Sequence, residues 1–167
     1  MAAVKSVKID GEDIHVFNSA IYLFESSTGF TLELDMIVSE VVVKKYKNEE
    51  NLIAEIELDE GRIISSIMHV KVLAGRLPQL NLFCEINDPD EYQDFHRIHE
   101  NDSKFPDIEE GITIEEIRKV EMPIEKVNVK LKLPIDQVEW LQKQKPQDLN
   151  EFFKEVIYHN WRKQAAK

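Results

Sequence analysis

The chain has 167 residues, of which 43% are hydrophobic and 32% charged, enough for one domain that buries roughly 70% of the surface its unfolded chain exposes. Cys84 is the only cysteine, which excludes an intrachain disulfide and a multi-cysteine zinc site and fits a reducing compartment. The opening MAAVKSVKIDGEDIHVF lacks the apolar run of a signal peptide, and no later stretch approaches the roughly 20 apolar residues that span a bilayer. The expectation is a cytoplasmic protein with no membrane partner.

The net charge of −11 is unevenly placed: residues 118–167 hold 11 Lys and Arg against 7 Asp and Glu, net +4, and the first 117 carry −15. An acidic body repels nucleic acid and anionic membrane and can steer a basic protein partner.

At the N-terminus VKSVKI and EDIHVF flank Asp10-Gly11, a pair suited to the positive φ angles of a two-residue type I′ hairpin. AIYLFES runs to Ser26-Ser27-Thr28-Gly29. FTLELDMIVSEVVVKKY then alternates Thr31, Glu33 and Asp35 against Leu32, Leu34 and Met36, which predicts a strand with a wet and a dry face. Val41-Val42-Val43 breaks the alternation and suggests a bulge, with Lys44, Lys45 and Lys47 at a hairpin tip. LIAEIEL and RIISSIMHVKVLAGRLPQLNLFCEI add further strands, interrupted at Ala74-Gly75 and Pro78. Short spacing predicts an antiparallel meander over 1–86 that closes as a barrel or stacks as a sandwich.

Residues 87–111, NDPDEYQDFHRIHENDSKFPDIEEG, read as an acidic loop or partly helical insertion. In 112–133 a short helix or strand comes first, Thr113 and Glu116 standing at capping-box spacing, and a strand follows. In VNVKLKLP, Val127, Val129, Leu131 and Leu133 alternate with Asn128, Lys130 and Lys132. Residues 134–165 read as a helical hairpin. Pro134 opens its first helix, and Asp148 caps the second with Glu151 completing a capping box. Leu149, Phe152, Phe153, Val156, Ile157 and Trp161 form one apolar stripe, expected either to cover an open face of the preceding sheet as core or to pair with a second copy as a dimer. The expected fold is α+β in a single domain: an antiparallel sheet or barrel of six to eight strands, then a C-terminal strand and two-helix hairpin.

Motifs for chemistry are few. The five glycines are isolated, so no dinucleotide or Walker phosphate loop can be written, and no cofactor is expected. Cys84 sits within LNLFCEI, where a thiol is packing. One metal-like constellation remains: Asp94, His96, His99 and Glu100, which would converge on Zn²⁺ or Ni²⁺ were the segment helical; a metal-dependent enzyme is the reading it carries.

Strand, helix, turn and helix over Val127–Trp161 resemble the ribbon-helix-helix fold of small dimeric repressors. That resemblance implies a homodimer whose paired strands present Asn128, Lys130 and Lys132 to DNA bases. Asp148 and Glu151 at the second helix's start repel a docking phosphate, and the acidic body opposes counterion release. The leading expectation is therefore a non-catalytic binding, assembly or inhibitor protein acting on a protein partner, for instance a basic one. Such acidity also fits an immunity protein, a nuclease inhibitor or a phage or prophage accessory protein.

Overall fold

The first turn of the chain follows directly from its dipeptide. In the computed structural model, which describes residues 2–166, β1 (Val4–Ile9) and β2 (Glu12–Ile14) pair antiparallel across Asp10-Gly11, with φ of 51° and 85°. Both values lie in the left-handed region that a type I′ turn demands. The turn is anchored, since the Ile53 N–H donates to Asp10 Oδ1 at 2.9 Å.

β3 (Asn18–Ser26) and β4 (Gly29–Ile37) form a second hairpin in continuous register from Asn18↔Ile37 to Ser26↔Gly29. The valine run that follows is not a bulge. It lies in α1 (Glu40–Tyr46), where Ser39 Oγ accepts the Val42 N–H at 3.1 Å, Glu40 sits in the first turn, and Lys44 and Lys45 in the last. A satisfied N-cap and charges matched to the helix dipole outweigh the β preference of three valines over two turns.

β5 (Asn51–Leu58), β6 (Ile63–Val72) and β7 (Gln79–Ile86) continue antiparallel. The acidic insertion is ordered rather than a bare loop. It holds a 3₁₀ turn at Pro89–Tyr92 and a strand, β8 (His96–His99), which pairs parallel with β3. Among the described residues the eight strands form one mixed, mostly antiparallel sheet in the order β2-β1-β5-β6-β7-β4-β3-β8. The meander expectation is corrected here, because β1 pairs with β5 and β4 with β7. The barrel expectation is corrected too: the sheet ends on the edge strands β2 and β8 and is not closed.

One face of the sheet builds the main core. Leu32, Leu34 and Met36 of β4 are fully buried with Ile56, Leu58, Leu80 and Leu82, each side chain contributing about 1.5–3 kcal/mol. On the other face a smaller cluster joins Ile37 and Leu77 to Ile108 and Ile117. Ile117 belongs to α2 (Ile114–Val120), which carries the expected capping box between Thr113 and Glu116. The strap before α2 is pinned by Glu109, whose Oε1 accepts from the Leu77 N–H at 2.8 Å and from Gln79 Nε2. Arg76 Nη2 donates to the Glu109 and Ile112 carbonyls at 2.9 and 3.1 Å. A side chain at Gly75 would collide with this Gln79–Glu109 pair.

Contacts divide the chain into two compact units, Met1–Ile124 and Glu125–Lys167. The second contains α3 (Ile135–Gln142) and α4 (Pro146–Ala165). The strand expected over 127–133 is not formed: these residues have no regular secondary structure. Their alternation suits a strand, yet an extended segment acquires ladder hydrogen bonds only beside a partner. α4 begins earlier than its capping box implied. Pro146 occupies the first turn after Lys145, and Asp148 lies inside the helix without a cap hydrogen bond. Proline needs no N–H partner there and its φ is already helical. No helix is long and apolar enough to cross a membrane, among the described residues.

Candidate functional site

The structure disperses the metal-like residues. His96 and His99 lie three positions apart on β8, opposite Tyr22 and Glu25 of β3, and side chains at that spacing on a strand point to opposite faces. Asp94 faces Arg62 at 3.7 Å, while His99 Nδ1 accepts the Asn101 N–H in its own turn. Among the described residues no group of three or more His, Cys, Asp or Glu side chains is placed to hold a metal ion.

Residues 125–166 present a different chemistry. None of them is buried, although the unit carries the whole apolar stripe. Phe152, Val156, Ile157 and Trp161 are 46%, 41%, 59% and 64% exposed, with Leu149 and Phe153 half-buried. Trp140 meets Phe152 edge-on at 6.3 Å and Phe152 meets Phe153 at 5.4 Å, so aromatic rings gather beside one another without an enclosing layer. Val127, Val129 and Leu131 are exposed as well, and so are Asn128, Lys130 and Lys132. Large apolar side chains in this unit are thus exposed together rather than enclosed in a core. With 9 Lys and Arg against 6 Asp and Glu the unit has net charge +3, whereas residues 1–124 carry −14.

A third feature escaped the sequence. Glu33 and Asp35, read as the wet face of β4, are 9% and 7% exposed. Asn81 of β7, opposite Asp35, is 1% exposed and donates both Nδ2 hydrogens to them, at 2.8 Å to Glu33 Oε2 and 2.6 Å to Asp35 Oδ1. Thr31 Oγ1 donates to Glu33 Oε1 at 2.9 Å and Tyr22 Oη to Asp35 Oδ2 at 3.0 Å. Each carboxylate oxygen thus has one donor, and among the described residues no Lys or Arg forms an ion pair with either acid. Burial, and then the charge of Asp35, push the Tyr22 hydroxyl's pKa upward, keeping it a proton donor. Asn81 Oδ1 is buried without a partner. The signal present in the sequence was Asn81 itself, a lone amide in the apolar run LNLFCEI.

These hydrogen bonds tie β3, β4 and β7 together. No protein-family model, curated protein or solved structure matches the chain.

Proposed function

We propose that this is a non-catalytic cytoplasmic assembly protein that acts through protein–protein contacts, with residues 125–167 as the contact surface and a second copy of the chain as its occupant. One observation carries the reading: a unit of 43 residues bears a Leu/Phe/Val/Ile/Trp stripe and buries none of its described residues. An isolated helix as short as α3, of 8 residues, is marginal in water, and most helical stability in proteins comes from packing of an amphipathic face.

A second copy suits the surface for two reasons. The alternating segment 127–133 needs a ladder partner, and an identical segment running antiparallel supplies one with Val and Leu on a shared face. A net charge of only +3 per unit also opposes pairing weakly at physiological salt. The helical hairpin of α3 and α4 would then close over its counterpart. The acidic β unit would be presented in pairs to a basic protein partner, as a scaffold or inhibitor requires.

The test is sedimentation velocity on the intact protein at low micromolar concentration. The reading expects twice the 19.5 kDa chain mass, and a shift to the monomer for Trp161→Glu, whose exposed position makes the change harmless to the single chain. A monomeric wild-type protein overturns the assembly reading. A ribbon-helix-helix-type DNA regulator is the second reading, favoured by the exposure of Asn128, Lys130 and Lys132. Salt-dependent retention of the dimer on duplex DNA, lost in Lys130→Glu/Lys132→Glu, would promote it.

A further inference from the structure

A cavity of about 680 Å³ opens over the start of β3, between the first residues of β1 and the strap after β8, and lies wholly within residues 2–106. Its volume falls in the range of small-molecule sites, roughly 300–1,000 Å³. Its charge is anomalous for its surroundings. Residues 1–124 hold 26 Asp and Glu against 12 Lys and Arg, yet no acidic residue lines the cavity, while Lys104 and His96 do.

Those polar groups are unengaged. Lys104 and the His96 ring form no ion pair or hydrogen bond among the described residues, and the Ser19 hydroxyl, also at the wall, has no partner either. An ammonium, an imidazole and a hydroxyl facing one acid-free space can all donate hydrogen bonds, and donors of this kind recognise an anion.

Apart from Asn18, whose amide donates to the Ile108 carbonyl at 3.0 Å, the rest of the wall is apolar and aromatic. Phe105 stacks on Phe24 at 6.2 Å and 25°, meets Tyr22 edge-on at 6.5 Å, and remains 52% exposed. Tyr22 is held rigidly, its hydroxyl spent on Asp35. An exposed ring braced by two others offers a flat face at small entropic cost, so the body of the ligand is planar.

We propose that this cavity binds a small aromatic carboxylate, the ring lying against Phe105 and the carboxylate meeting Lys104, His96 and Ser19. None of the residues lining it belongs to 125–167, so the test below does not depend on the self-association reading.

The test is a titration of the intact protein with 2-naphthoate and, in parallel, with neutral 2-naphthamide, followed by calorimetry and by amide chemical shifts. Loss of one charge-assisted contact corresponds to about tenfold or more in affinity. The proposal expects shifts at Ser19, Ala20, His96 and Phe105, and naphthamide binding at least about tenfold weaker. Lys104→Glu should weaken naphthoate by a similar factor with an unchanged melting temperature, and Phe105→Ala should weaken both compounds. Trp161→Glu should leave both affinities unaltered. Equal affinity for acid and amide, insensitivity to Lys104→Glu, shifts confined to residues 125–166, or no binding of naphthoate at millimolar concentration would each overturn it.

Discussion

Replacing Asn81 by leucine isolates what the buried polar network contributes to the β unit. The two side chains are close in size, so the change removes the amide that bridges Glu33 and Asp35 without opening a large void. Two hydrogen bonds to carboxylates, at 2.8 and 2.6 Å, are lost at about 1.5–3 kcal/mol each. Burial of the leucine offsets about 1.5–3 kcal/mol of that, leaving a net destabilisation of about 2 kcal/mol. For a unit of 124 residues this corresponds to a fall in melting temperature of roughly 10 °C. Both tryptophans, Trp140 and Trp161, lie in the second unit, so their emission reports the wrong part of the chain. Urea unfolding followed by circular dichroism of the sheet, or by hydrogen exchange of β4 and β7 amides, reads the right one. Asp35→Leu and the double variant complete the cycle, with a coupling energy of at least about 1 kcal/mol expected for groups in direct contact. A change below about 0.5 kcal/mol for Asn81→Leu, within the range of ordinary surface substitutions, would refute the idea that the amide supports the two acids.

Three further outcomes follow from individual residues. Gly11→Ala should destabilise the β unit by about 1–2 kcal/mol, because Gly11 has φ of +85° and open space around it, so the penalty is backbone conformation alone; denaturant midpoints measure it. Arg118 donates to Glu40 at 2.7 and 3.2 Å and holds that carboxyl below its usual pKa against a smaller effect of burial. A lowered folded-state pKa contributes stability above the unfolded carboxylate value and loses it as pH falls through the folded one. Glu40→Gln should therefore give a small, salt-screened drop in melting temperature at pH 7 that closes below about pH 4. Burial raises the Cys84 thiol pKa, opposed by a hydrogen bond with Ser66, so iodoacetamide at pH 7.5 should alkylate it at least about fivefold more slowly than a free thiol.

Local signals in the sequence were legible wherever the chain satisfied its own backbone. The Asp10-Gly11 turn and the Thr113–Glu116 capping box each rest on residues within a few positions of one another, and each formed as expected. Three readings changed because a distant or absent partner decided them. Val41–Val43 became helix once Ser39 capped the turn. Glu33 and Asp35 left solvent because Asn81, 46 residues beyond Asp35, lies on the strand beside them, and alternation cannot tell water from a buried amide. Residues 127–133 kept a strand's pattern without becoming one, since the ladder they require is missing from their own unit. The cavity near Tyr22 had no sequence signature: Ala2–Val4, β3 and the strap at 104–106 meet only through the folded sheet.

The central claim is that a second copy covers the apolar face of residues 125–167, and mixed-label NMR addresses it at the atoms concerned. A sample is prepared from equal amounts of protein carrying ¹³C-labelled Val, Leu and Ile methyls and unlabelled protein, and isotope-filtered nuclear Overhauser effects are recorded between copies. The account predicts cross-copy contacts from the Val129, Leu131, Val156 and Ile157 methyls to the aromatic protons of Phe152 and Trp161, with none from core residues such as Leu34. Contacts from those same methyls that arise only within one copy, against residues 2–124, would contradict it.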